Sequence, residues 1–126
     1  MRVLLDTAVF IFSAQSPDRL TSRAASVLKN PENIRELSAI SLTEIAVKFS
    51  LGKLTMSSAL VRQAIEDLDI RLLSFTADHA FELFNLAGAH RDPFDRQIIA
   101  QALWEEIPVV SPDPQFSRYA GLKVIW

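Results

Sequence analysis

Short, almost wholly apolar runs alternate with longer segments of helical periodicity along this chain of 126 residues. The predicted strands are residues 3–5, 37–40, 70–73, 109–110 and 124–125. Apolar strands without polar alternation are typical of parallel sheets that helices cover on both faces. The pattern therefore predicts an α/β fold of three layers, α/β/α, around a mainly parallel five-stranded sheet.

Helical periodicity fills the segments between these runs. The predicted helices are residues 7–13, 19–29 and 42–51, one that begins near residue 57, one that includes residues 80–87, and one from residue 94 to about 105. No linker, repeat or low-complexity tract interrupts the series, so residues 1–126 are expected to form a single domain.

The composition excludes several classes of protein. The absence of cysteine excludes disulfides and thiolate metal sites. A net charge of −2 argues against a simple electrostatic nucleic-acid binder, although an enzyme that meets phosphates through bound cations is still compatible with it. No apolar run approaches the ~20 residues of a membrane span, and the chain starts with a strand instead of a signal peptide. A cytoplasmic protein is therefore expected.

Four acidic residues stand where predicted strands end or predicted helices begin. They are Asp6, Glu44, Asp95 and Asp113, called the acidic quartet below. In an open parallel sheet these points meet at the carboxyl ends of the strands, where ligands bind. Two carboxylates ~4 Å apart repel by roughly 4 kcal/mol at an effective dielectric constant of ~20. A cation is therefore expected among them, and oxygen ligands suit Mg²⁺ or Mn²⁺.

Each acid also has a purely structural explanation. Glu44 lies three residues after Ser41 in the spacing of a capping box. Asp92 precedes Pro93 as a helix N-cap does, with Asp95 in the first turn, and the Asp113-Pro114 pair repeats the arrangement. Asp6 could accept amides of the helix after it. The two interpretations are compatible because a helix N-terminus helps to hold a carboxylate ionised.

Other residues near the acids have open roles. Thr7 and Ser111 could orient a carboxylate or a metal-bound water, or simply cap a helix or turn. His79 is expected to be exposed in a first helical turn. Candidate substrate contacts are His90, Arg91, Arg96 and Lys48, with a loop position as the alternative for His90 and scattered surface charge as the alternative for the others. Lys53 is a further cation that could lie near the acids, with the same alternative. Candidates for a subunit interface are Phe49, Leu54, Leu60 and Trp104.

Four motifs in order give the chain a family resemblance. They are Leu4-Leu5-Asp6-Thr7, Ser41-Leu42-Thr43-Glu44, Asp92-Pro93-Phe94-Asp95-Arg96 and Val109-Val110-Ser111-Pro112-Asp113. Across essentially its whole length the chain resembles a PIN domain, specifically the VapC-type toxins of type II toxin–antitoxin systems. The acidic quartet matches the family's acidic residues. Asp92 belongs to the subgroup that carries the Asp-Pro-Phe-Asp-Arg variant, and it is a further candidate metal ligand. Ser111 stands where Thr is usual, and prolines flank Asp113 on both sides.

The resemblance implies a specific activity. It implies a Mg²⁺- or Mn²⁺-dependent endoribonuclease that cuts structured RNA, works as a homodimer and is blocked by a small cognate antitoxin. The acidic quartet would be catalytic and would bind the metal. Two other classes are weighed against it: an inactive PIN scaffold that serves as a protein-binding module, and a phosphorelay receiver-like domain. The receiver would need an Asp closing the central strand and a Lys after the last one, and residues 72–74 and 124–126 supply neither.

Overall fold

The computed structural model describes residues 1–88 and 92–126, and its five strands form one sheet. The strands are β1 (Arg2–Leu5), β2 (Ile34–Ser38), β3 (Ile70–Leu73), β4 (Val109–Val110) and β5 (Val124–Ile125). Their order is β3-β2-β1-β4-β5, and every pairing is parallel. The predicted α/β class and five-stranded sheet are thus confirmed.

Within residues 1–88 and 92–126, six α-helices connect or cover the strands. They are α1 (Thr7–Gln15), α2 (Ser22–Lys29), α3 (Ala39–Ser50), α4 (Ser58–Asp67), α5 (Ala77–Glu82) and α6 (Pro93–Glu105). Three 3₁₀ turns occupy Pro17–Arg19, Leu83–Asn85 and Pro114–Arg118. Among residues 1–88 and 92–126, no helix combines the length and the apolarity needed to cross a bilayer.

The sheet divides the core into two apolar layers because successive side chains of a strand point to opposite faces. On one face Val3 and Leu5 pack with residues of α1 to α4, among them Phe10. On the other face Leu4 packs with α6 and the last 3₁₀ turn, through residues such as Ile98 and Phe116. Both faces of the central strand are therefore covered, which explains its uninterrupted apolar sequence.

The start of α3 differs from the prediction. The expected strand 37–40 and helix 42–51 are in fact β2, which ends at Ser38, and α3, which begins at Ala39. Ser38 caps the helix, and its Oγ accepts a hydrogen bond from the Ile40 amide at 3.0 Å. The capping box expected between Ser41 and Glu44 is therefore wrong, because both residues lie inside the helix. Glu44 has no capping role to explain its presence.

Strand β2 also begins earlier than predicted, at Ile34, and it contains a buried charge. Glu36 is completely buried, and its carboxylate pairs with Arg2 of β1 and with Arg71 of β3, the latter at 3.1 Å. Because Arg35 and Glu36 are polar, no apolar run in the sequence marks the start of this strand. The partners that stabilise the buried Glu36 lie on the neighbouring strands. A buried carboxylate persists only where such partners are supplied.

His79 extends the same polar network, and the expectation that it is exposed is wrong. Its side chain is buried in the first turn of α5, where Nδ1 accepts the Thr76 amide at 2.9 Å. Its Nε2 lies 3.0 Å from Glu105 Oε2, and the other oxygen of Glu105 accepts from Arg2 Nη2 at 2.8 Å. The network joins α5, α6 and the sheet through groups distant in sequence.

Glu36→Gln should destabilise the protein by about 2–3 kcal/mol, because two arginines lose a charged partner that is buried in the core. Denaturant unfolding measures the loss, with Glu32→Gln as the matched control because Glu32 is exposed. Equal stabilities of the two variants would contradict the role assigned to this ion pair.

Candidate metal centre

The chain reverses its direction of travel across the sheet at β1. It proceeds from β1 to β2 and β3 on one side and then crosses to β4 and β5 on the other. The carboxyl ends of β1 and β4 therefore bound the crevice at the switch point, where ligands bind in open α/β sheets. Asp6 directly follows β1, and Ser111 directly follows β4. We call this edge of the sheet, together with the acidic quartet and Asp92, the acidic crevice.

Asp6 is buried, and its carboxylate accepts a hydrogen bond from a residue at the end of the neighbouring strand β4. Ser111 Oγ donates to Asp6 Oδ2 at 2.7 Å and accepts from the Asp113 amide at 3.1 Å. Asp6 occupies the N-cap position of α1 without a side-chain cap hydrogen bond. The hydroxyl of Ser111 thus orients one carboxylate of the quartet and ties it to the loop that carries another, as expected for one of the two open roles of that residue.

The pKa values of Asp6 and Asp95 indicate that the acids lie close enough to act on one another electrostatically. Burial first, and then repulsion by Glu44 and Asp113, raises the pKa of Asp6 to about 6, although the Ser111 bond opposes the shift. Burial, followed by the charges of Asp6, Asp92, Glu44 and Asp113, raises the pKa of Asp95 to about 8. Acids from four separate elements therefore act on one another, as the sequence predicts.

Glu44 presents two carboxylate oxygens in different surroundings. Its side chain is almost wholly buried, and Oε2 accepts from Lys48 Nζ at 2.7 Å. Oε1 is buried with no hydrogen-bond partner in the described part of the chain. An unpartnered buried acceptor typically costs about 1–3 kcal/mol, and more when it is charged. The position of this oxygen suits a cation.

Asp92 and Asp113 do cap helices, as predicted. Asp92 Oδ1 accepts from the Phe94 amide at 2.9 Å at the start of α6. Asp113 Oδ1 accepts from the Gln115 amide at 2.9 Å at the start of the last 3₁₀ turn. Each cap engages one oxygen of its carboxylate, so capping and metal binding do not exclude each other. Asp95 lies in the first turn of α6, as expected.

Sequence reasoning overlooked Ser41 as a site residue. Thr7 Oγ1 donates to Ser41 Oγ at 2.8 Å, and both side chains are buried. The bond links the first turn of α1 to α3 beside Asp6 and Glu44. The spacing of Ser41 and Glu44, three residues apart on one helix, was the available signal, but it was attributed to a cap.

The candidate cations are placed unequally. Lys48 contacts the quartet, and its hydrogen bond to Glu44 first, followed by that charge and those of Asp92 and Asp95, raises the pKa of its ammonium. Arg96 Nη1 donates to the carbonyl of Ala87 at 2.7 Å. His90 and Arg91 lie outside the described residues.

The donor set fits a hard divalent cation, although the site is not a preformed cage. Within residues 1–88 and 92–126, no three acidic or histidine side chains already stand at metal-binding spacing. A divalent cation would draw together carboxylates that otherwise repel one another. The all-oxygen donors, the orphaned Glu44 Oε1 and the raised pKa values of Asp6 and Asp95 together suit Mg²⁺ or Mn²⁺.

The fold and the crevice define a parallel α/β domain with clustered carboxylates at its switch point. The sequence model of the PIN domain family matches residues 3–122. The chain therefore belongs to the PIN domain family, in agreement with the resemblance found in its motifs. No curated protein matches the chain in sequence.

Solved structures share the fold over nearly the whole chain. VapBC2 from Rickettsia felis, bound to a DNA fragment from the promoter, is similar with a TM-score of 0.73 at 20% identity, covering 98% of this chain and 97% of that chain. DNA-bound VapBC from Salmonella typhimurium has a TM-score of 0.74 at 17% identity, with coverages of 98% and 96%. FitAcB from Neisseria gonorrhoeae has a TM-score of 0.58 at 21% identity, with coverages of 97% and 95%.

Proposed function

We propose that this protein is a Mg²⁺- or Mn²⁺-dependent endoribonuclease, the toxin of a type II toxin–antitoxin pair, which hydrolyses phosphodiester bonds of structured RNA at the acidic crevice. The observation that carries the proposal is the buried, unpartnered Oε1 of Glu44 among carboxylates that repel one another. Membership of the PIN domain family and the likeness to VapBC structures support it.

The residues of the crevice would each have a defined task. A bound divalent cation supplies positive charge that lowers the pKa of a water and stabilises the charge on the phosphate. Asp6 and Glu44 would hold that cation, because hydrogen bonds from Ser111 and Lys48 already orient them. Asp95 and Asp113 would complete the set, with Asp92 as a further ligand. RNA phosphates would be repelled from this crevice without the cation, so metal should affect both RNA binding and cleavage.

Protein partners form the second part of the proposal. A groove of about 480 Å³ runs between α3 and α4, and its lining includes Phe49, Met56 and Val61. An apolar helix of an antitoxin would fit such a groove, and a basic side chain from the same partner would fit the crevice. For a homodimer, the candidates Phe49, Leu60 and Trp104 are exposed, whereas Leu54 is half-buried.

The observed strand order argues against the receiver alternative. Receiver domains have the doubly wound order 2-1-3-4-5, whereas this sheet has the order 3-2-1-4-5. The inactive PIN scaffold is the alternative that an experiment must separate, because it would share both the fold and the protein-binding surfaces.

Incubation of the purified protein with total RNA tests the function. We expect cleavage products from structured RNA species in millimolar Mg²⁺ or Mn²⁺ and none in excess chelator, because the crevice repels phosphates without a cation. Products are resolved on a denaturing gel. Cleavage that persists in chelator would contradict the metal-dependent mechanism, and no cleavage with any divalent ion would favour the inactive scaffold.

A further inference from the structure

Lys48 places a cation against the acidic crevice from within the chain. It follows Glu44 by one turn of α3, and its Nζ lies 2.7 Å from Glu44 Oε2. The side chain of Lys48 is 43% exposed, whereas that of Glu44 is 6% exposed. The charges of Asp92 and Asp95 on the neighbouring helix α6 also act on the ammonium. This lysine therefore faces the carboxylates of two helices.

The contact with Lys48 gives the two carboxylate oxygens of Glu44 different surroundings. Oε2 is engaged by Lys48, and Oε1 is buried without a partner in the described residues. A hydrogen bond to one oxygen restricts the rotation of the carboxylate, so the position of the other oxygen is also restricted. Ser111 does the same for Asp6, to whose Oδ2 it donates a hydrogen bond.

We infer that Lys48 is a tethered counter-cation of the metal centre: it holds Glu44 through Oε2 and leaves Oε1 to the divalent ion. The inference rests on the proposed function, because it needs that metal site. Lys48 is a positioning residue that acts through Glu44. Its charge offsets carboxylate repulsion in the metal-free protein and opposes the incoming ion. This opposition outweighs the gain from orienting Glu44, so Lys48 lowers the affinity of the centre for metal.

The competing explanation is an ordinary helix-surface ion pair. Glu followed by Lys four residues later stabilises helices generally. Such a pair would stabilise the metal-free and the metal-bound protein equally and would leave the metal affinity unchanged. A counter-cation contributes mainly while the metal is absent, because the ion takes over the neutralisation of Glu44. The two roles therefore differ in a quantity other than RNA cleavage.

Lys48→Met tests the inference because methionine keeps the apolar stem and removes the charge. We expect its melting temperature in chelator to fall below that of the wild type and its Mn²⁺ affinity by calorimetry to rise roughly three- to tenfold, since one opposing unit charge is lost. Lys48→Arg should stay close to the wild type in both measurements. Lys53→Met is the matched control, since it removes an exposed charge just beyond α3.

The outcomes separate the inference from the function on which it rests. Wild-type protein that binds no Mn²⁺ would remove the metal site itself. Wild-type binding with an unchanged affinity in Lys48→Met, or an equal loss of stability with and without Mn²⁺, would overturn only the role of Lys48. If Lys48→Met does not fold, Lys48→Gln gives the same comparison, because its amide can still donate to Oε2 without the charge.

Discussion

Asp6→Asn should reduce RNA cleavage by at least about a thousandfold while the protein remains folded, because it removes the charge of a proposed metal ligand and keeps the shape of the side chain. The asparagine oxygen can still accept the bond that Ser111 Oγ donates at 2.7 Å in the wild type. The loss should therefore come from the chemistry of the crevice and leave the packing of β1 and α1 intact.

The stability of the same variant provides the internal control. Because burial and repulsion raise the pKa of Asp6 to about 6, ionising it near pH 8 costs the folded state on the order of 3 kcal/mol. Asp6→Asn should thus melt no lower than the wild type in chelator near that pH. Asp18→Asn, at an exposed 3₁₀ turn, is the matched substitution and should keep full activity. A folded Asp6→Asn protein with wild-type cleavage would refute the catalytic assignment.

The fold was predictable from the sequence wherever one apolar run sufficed to mark a strand. Residues 3–5 and 109–110 are covered on both faces, so no polar residue interrupts them, and both strands lie where expected. The four acids act on one another electrostatically for the same reason, whereas their role as metal ligands stays a prediction. Parallel strands bring their carboxyl ends together whatever the details of their connections.

The prediction failed where long-range pairs override local pattern. Glu36 reads as a surface residue until Arg2 and Arg71 from other strands surround it, so the start of β2 was missed. His79 reads as an exposed helical residue until Glu105 binds it across 26 positions of sequence. Local propensity cannot report partners that only the tertiary fold supplies.

The error at α3 had the same origin and concealed a part of the site. Ala39 and Ile40 are apolar enough to extend a strand, yet Ser38 caps a helix at that point. Because α3 begins at Ala39 and not at residue 42, Glu44 is a buried acid in the second turn of the helix and has no capping role. The structure thereby strengthens the case for Glu44 as a ligand.

Divalent ions should raise the melting temperature of the wild-type protein by roughly 10 °C at a hundredfold excess over the dissociation constant, where linkage contributes about 2.7 kcal/mol. The physical reason is relief of the repulsion among the acidic quartet. Glu44→Gln should lose most of this gain because its amide is a weaker ligand, whereas Glu66→Gln on the exposed part of α4 should keep it.

The gain should also depend on pH. Asp6 and Asp95 have pKa values raised to about 6 and about 8. A carboxyl group with a raised pKa contributes stability that is fully present below its ordinary value near ~4 and is lost as the pH rises through the raised value. Metal-free protein should therefore lose stability between about pH 4 and 8.5, and at the lower pH metal must displace protons. The ion should stabilise the protein more at the higher pH.

The most direct test of the metal centre is a thermal melt of the wild-type protein at about pH 8.5, in excess chelator and in millimolar Mn²⁺. A higher melting temperature with Mn²⁺ in the wild type and in Glu66→Gln, and little change in Glu44→Gln, is the predicted result. The same melting temperature with and without the ion in the wild type would contradict a divalent cation site in the acidic crevice.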